Sequence, residues 1–130
     1  MKLELAQKVV ESALREARSL GLLMNVAVVD EGGNLIAFAR MEGAWLGSIA
    51  IAQAKAYSAR AFDMTTQELG ALSQPGQPLF GIEATNSGQI VIFGGGIPLR
   101  ANGTVIGAIG VSGGTPDQDH QVAQAGLKAL

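Results

Sequence analysis

Between Phe93 and Asp119 the chain reads FGGGIPLRANGTVIGAIGVSGGTPDQD, a stretch that holds eight glycines. Glycine loses more freedom on ordering than any other residue. At this density it persists where the backbone must take positive φ, lie against other backbone, or leave room for a ligand. The stretch also reads as two short β segments and a turn that opens a helix. It is therefore expected to form the functional edge of a small α/β domain.

The remaining elements supply partners for that edge. Leu3, Ala6, Val10, Ala13, Ala17 and Leu20 recur at three- and four-residue spacing with charges between them, predicting an amphipathic helix stopped at Gly21. MNVAVVD (24–30) and LIAFARM (35–41) flank the turn residues Glu31, Gly32, Gly33 and Asn34. They predict a hairpin whose strands are buried on both faces for much of their length. The alanine-rich run 47–62 predicts a helix able to sit close to a sheet. Thr65 and Glu68 suit a capping box for a short helix ended by Pro75, Gly76 and Pro78, after which 79–88 is expected to be loop with one helical turn. Strands are predicted at 89–93, 97–100 and 104–112, with Asn102-Gly103 as a tight turn, and a closing helix over 117–130 introduced by Thr115-Pro116. This order predicts an α/β (α+β) fold in one domain, 1–130: a three-layer α/β/α sandwich around a five-stranded antiparallel sheet.

Composition removes several function classes. With 130 residues and 48% hydrophobic side chains the chain can bury a core. A net charge of -2, with Lys and Arg scattered singly, offers no footprint for nucleic acid or an anionic membrane. The absence of cysteine excludes disulfides, thiolate catalysis, iron–sulfur clusters and the common structural zinc sites. The N-terminal segment is a charged periodic helix rather than a signal peptide, and no run reaches the roughly 20 apolar residues of a membrane span. The expected compartment is the cytoplasm.

Four blocks, in order VAVVDEGGNLIAFARMEGA, QAKAYSARAF, GGGIPL and GTVIGAIGVSGGTPDQDHQVA, resemble the GlcG/HbpS family of haem-binding and haem-degrading-like proteins over nearly the whole chain. The module is also similar to the C-terminal domain fused to some cobalamin adenosyltransferases, and to stand-alone copies linked to glycolate, diol and aromatic catabolism. The resemblance implies a profilin-like fold, a homo-oligomer, and haem or a related tetrapyrrole as ligand. It does not imply one activity, because a fold hosts many. Haem-binding members are associated with a histidine nearer the N-terminus than any here. If haem binds, either the iron ligand comes from His120, Tyr57, a methionine or a second subunit, or the iron is held weakly.

The candidate site residues follow from their positions. Lys55 shares a helical stripe with Ser48, Ile51, Ala52, Ser58, Ala59 and Phe62, all within about 60° at 100° per residue. A cation there must snorkel outward over alanines or meet an anion such as a ligand carboxylate or haem propionate. Gly94, Gly95 and Gly96, followed by Pro98, could turn backbone amides toward an anionic ligand, or form a bend at the sheet edge. Ser112, Gly113 and Gly114 formally complete a G-x-S-x-G elbow. The only histidine lies eight residues on in the adjoining helix, so these residues are expected instead to face a ligand at that helix's N-terminus. Asp117 and Asp119 complement the helix dipole. Asp119 shares a stripe with Ala123, Gly126 and Leu130, which could aim it inward as an acid–base or pocket candidate. His120 is the one imidazole, for proton transfer or as an iron ligand. Tyr57, Arg60 and Gln53, opposite Lys55, mark a subunit contact or a site, and Trp45 a core or interface anchor.

Three functions remain open on these residues. One is a module binding haem or a small anionic ligand, with any haem turnover drawn from the cofactor. Another is a metal-free lyase or isomerase with Lys55 as anion clamp, glycine amides as oxyanion donors and Asp119 or His120 moving protons. The third is a non-catalytic accessory or assembly role.

Overall fold

The computed structural model describes residues 1–130 and builds its sheet from four strands: β1 (Asn25–Asp30), β2 (Leu35–Arg40), β3 (Gly96–Ala101) and β4 (Thr104–Ser112). Every neighbouring pair is antiparallel, in the order β2-β1-β4-β3. Two hairpins thus lie side by side with β1 and β4 at the centre. The β3–β4 turn is Asn102-Gly103, both at positive φ as a two-residue hairpin loop requires. Along β1, Val26 and Val28 face one core while Ala27 and Val29 face the other. The expectation of two buried faces holds for β1. The edge strand β2 is only half-buried.

The expected fifth strand at 89–93 does not form, so the sheet has four strands, not five. Its backbone is tied to a helix instead: the Val91 N–H donates to Ser58 Oγ at 2.9 Å, and Ser58 Oγ donates to the Gln89 carbonyl at 3.2 Å. The apolar pattern of QIVIF reflects a segment laid over helices, which composition cannot tell from a strand.

Helix α1 (Leu3–Ser19) ends where Gly21 takes φ +68°, with the Gly21 N–H donating to the Arg18 carbonyl and the Leu22 N–H to the Ala17 carbonyl, a Schellman stop. Helices α2 (Gly47–Phe62), α3 (Thr66–Leu72) and α4 (Pro116–Gly126) follow. Thr65 caps α3, and Thr115 with Gln118 forms a reciprocal capping box on α4. The closing helix is shorter than expected, its last turn over Leu127–Ala129 being 3₁₀. Two 3₁₀ turns, Ile82–Ala84 and Asn86–Gly88, occupy the expected loop. α1 and α4 pack together on one face of the sheet, and α2 covers the other over β1, β4 and β3. No helix is long and apolar enough to cross a membrane.

The glycines of the sheet set how closely α2 sits. Gly96 and Gly110 are cross-strand partners. A Cβ on Gly110 would collide with the Ala52 carbonyl and stand 2.5 Å from the Ala56 amide nitrogen; one on Gly96 would collide with the Lys55 carbonyl. The α2 backbone therefore rests on sheet backbone, with Ala52, Ala56 and Ala59 filling the second core. Gly110→Ala is expected to destabilise the fold by about 1–3 kcal/mol, as overpacking does. Gly47→Ala, at an open position in the same helix, should be neutral or slightly stabilising. Urea unfolding of both variants checks the pair.

Candidate functional site

Because α2 lies so low on the sheet, the middle of the stripe carrying Lys55 is closed to solvent, and only Ile51 and Phe62 on it are partly exposed. Lys55 is wholly buried. Its ammonium donates to Asp119 Oδ2 at 2.7 Å and to the Val111 carbonyl at 2.9 Å, and stands 5.0 Å from the centroid of the Phe93 ring. Two of its three donors thus meet oxygens, and an aromatic face completes the shell. The anion that Lys55 meets is supplied by its own chain. Asp119 is buried too, as its stripe implied. It is aimed inward from the first turn of α4, where its Oδ1 accepts from the Gly114 N–H at 2.8 Å.

Burial governs the electrostatics of this pair. Desolvation pulls Lys55 below the ordinary lysine range, partly offset by the Asp119 carboxylate. Desolvation also pushes Asp119 above the ordinary carboxylate range, opposed by Lys55 and then by the Gly114 and Gly113 amides.

Glycine lets the chain close around the pair. Gly95, at φ +132°, passes over Lys55 with no room for a side chain between it and Nζ. Its carbonyl accepts from the Val111 N–H at 2.9 Å, and the Gly96 N–H donates to Thr66 Oγ1 at 2.8 Å. Gly94 lies against Pro116 and His120 of α4. Two of the amides expected to face a ligand, those of Gly96 and Gly114, therefore donate within the chain. Gly113, at φ +150°, is packed against Leu23 and Met24. Ser112 is buried at the end of β4 beside its cross-strand partner Asn25.

His120 is half-buried, and its Nδ1 is covered without a hydrogen-bond partner. The structure thus gathers Lys55, Asp119, Gly94–Gly96, Gly114 and His120 at one edge. It places Pro98 elsewhere, in a depression of ≈ 300 Å³ with Arg100, Asp63 and Glu68. Trp45 is 69% exposed and so is no core anchor. A roomier depression, ≈ 550 Å³, lies along the opposite flank of α2 and is lined by Tyr57 and Gln53.

Sequence reasoning missed three members of this region. The sequence pattern places Phe93 only in a predicted strand and Thr66 only in a predicted helix. Asn25 is fully buried, its Nδ2 donating to the Trp45 carbonyl at 3.1 Å while Oδ1 has no partner. A lone amide within a valine-rich run was the available signal.

Removing one charge of the pair strands the other in the core. Lys55→Met or Asp119→Leu alone is expected to cost about 3–5 kcal/mol, with the double variant recovering most of it. The pH dependence has a definite sign. Asp119, raised in the fold, contributes stability that is full below its ordinary value near about 3.9 and lost as pH rises through the raised value. Lys55, lowered in the fold, contributes stability that is full above its ordinary value near about 10.4 and lost as pH falls through the lowered value. Measured by urea unfolding across pH, the stability of the wild type relative to the double variant should therefore pass through a minimum between those limits. A maximum there would contradict it.

The comparisons with known proteins agree with this architecture. The family model described as "Haem degrading protein HbpS-like" matches residues 1–128. An uncharacterised 15.0 kDa protein of the dhaT-dhaS intergenic region of Citrobacter freundii is 42% identical over 122 residues, covering 94% of this chain and 86% of that protein. The crystal structure of a PduOC:haem complex superposes with a TM-score of 0.95 at 35% identity, covering 100% of this chain and 94% of that one. The crystal structure of HbpS does so with a TM-score of 0.92 at 31% identity, covering 100% and 89%. On sequence over almost its full length and on fold, this chain belongs to the HbpS-like family.

Proposed function

We propose that this protein binds haem or a closely related tetrapyrrole, its acidic side groups making it an anionic ligand. The observation that carries this reading is the whole-chain likeness to a family member solved with haem bound. The chain's own residues meet the first requirement of such a ligand, a donor for iron. His120 and Tyr57 are the strong candidates. Met24 is wholly buried, and the Met41 sulfur accepts from the Met24 backbone N–H.

In this reading the Lys55–Asp119 pair acts on the fold rather than on the ligand. It fixes α4 against the Phe93–Gly95 turn. Bound haem would supply oxidative iron chemistry, the basis of the finer proposal that the ligand is degraded. A homo-oligomer is part of the same proposal, supported by the neighbouring exposure of Trp45 and Leu46, at 69% and 77%.

Hemin titrated into the purified protein and followed by absorbance tests the reading. The expected result is a saturable shift of the Soret band at a fixed stoichiometry per chain. A shift that grows without saturating, or none, overturns it.

A further inference from the structure

The flank of α2 opposite Lys55, which carries Tyr57, borders open depressions rather than core. The two faces of the sheet are covered unequally, by α1 and α4 on one side and by α2 on the other. Since α2 sits over β1, β4 and β3, the edge strand β2 projects past it. The resulting groove of ≈ 550 Å³ has an apolar part, with Leu35, Ile49, Ala50 and Ala54, and a polar part with Asn34, Gln53 and Gln89, and Tyr57 lies among them. Tyr57 and Gly33 also border an adjoining depression of ≈ 330 Å³ that contains Arg60. The pair of depressions offers a partly apolar slot, a phenol at the junction and, beyond it, the Arg60 guanidinium with Glu31 nearby. That sequence of groups suits a flat apolar ring system carrying a metal at its centre and acids at its rim.

We propose that the tetrapyrrole lies in this groove with Tyr57 Oη as the protein ligand to its iron and Arg60 meeting one of its carboxylates; the proposal rests on the haem reading above. Three observations favour Tyr57 over His120. First, His120 borders neither of these depressions. Second, an imidazole bound through Nε2 carries its proton on Nδ1, which here is buried with no acceptor, whereas a ligating histidine normally has one behind it. Third, the same Tyr57 Oη has a side-chain amide in reach: it donates to Asn86 Oδ1 at 2.9 Å, which places a group able to serve the oxygen once its proton is lost. On coordination the iron–oxygen bond forms, the Oη–H bond breaks and the proton leaves to solvent, with the iron remaining ferric. The Asn86 amide, turned over with loss of the 3.1 Å bond its Nδ2 donates to Thr85 Oγ1, then presents Nδ2 to the phenolate. Arg60 spends Nε on the Glu31 carbonyl and Nη1 on Asp63, each at 2.7 Å, which leaves Nη2 for a ligand carboxylate.

The test uses hemin and metal-free protoporphyrin on the wild type and on Tyr57→Phe, Ala50→Trp and His120→Ala, with melting curves confirming that each variant folds. Ala50 is exposed on the groove wall, so tryptophan there fills the slot without entering the core. Ala50→Trp should weaken both porphyrins. Tyr57→Phe should retain protoporphyrin, weaken hemin by at least about tenfold, and lose the phenolate-to-iron charge-transfer absorption. His120→Ala should match the wild type. Hemin binding lost in His120→Ala and unchanged in Tyr57→Phe, or indifference of both porphyrins to Ala50→Trp, overturns the proposed site while leaving the haem reading intact. Failure of the wild type to bind hemin saturably overturns both.

Discussion

At Gly96 and Gly110 the backbone of α2 lies against sheet backbone with no side chain between them, and the remaining architecture follows from that contact. An ordinary helix–sheet interface is separated by a layer of large side chains. Here alanines suffice, and the second core is correspondingly thin. The gain is rigidity rather than area. Small side chains lose little rotamer freedom, and their contacts are made by atoms that cannot move independently of the main chain.

That proximity explains why the one charged side chain on the inner face of α2 cannot escape to water. A lysine on a helix standing higher above the sheet could thread outward. Lys55 cannot, and the fold answers with Asp119, a main-chain carbonyl and an aromatic ring. The pair joins α2, on one side of the sheet, to α4, on the other, across the end of β4. Buried ion pairs are weak sources of net stability, because desolvation cancels much of the attraction. They are strict about geometry, since a misplaced partner leaves a bare charge. The glycine turns around the pair serve the same end by keeping other atoms out of its way.

Local signals in the sequence were the ones that translated faithfully. The period of α1, the Gly21 stop, both hairpin turns and the caps at Thr65 and Thr115 each depend on residues a few positions apart. The inward aim of Asp119 was legible from its stripe. The meeting of Lys55 with Asp119 was not, because it depends on strand register and on the depth at which α2 docks, neither of which is written in a short window. The misplaced strand at 89–93 shows the same limit: apolar alternation reports burial, and burial against helices looks like burial in a sheet. The groove beside Tyr57 was invisible for a related reason, since it arises from what α2 leaves uncovered.

The placement of β1 beside β4 also has a kinetic side. Each hairpin closes over a turn of a few residues and can form from local contacts alone. The central pairing sets Asn25 against Ser112 and Asp30 against Gly107, so most of the chain must be looped out before the first of those rungs is made. Closing that loop costs entropy that only the assembled core repays, and topologies of this kind fold slowly for their size. The order implied is two early hairpins with nascent helices, then a late docking step. That step alone creates the sheet centre, the seat for α2 and the dry space in which a lysine can be buried.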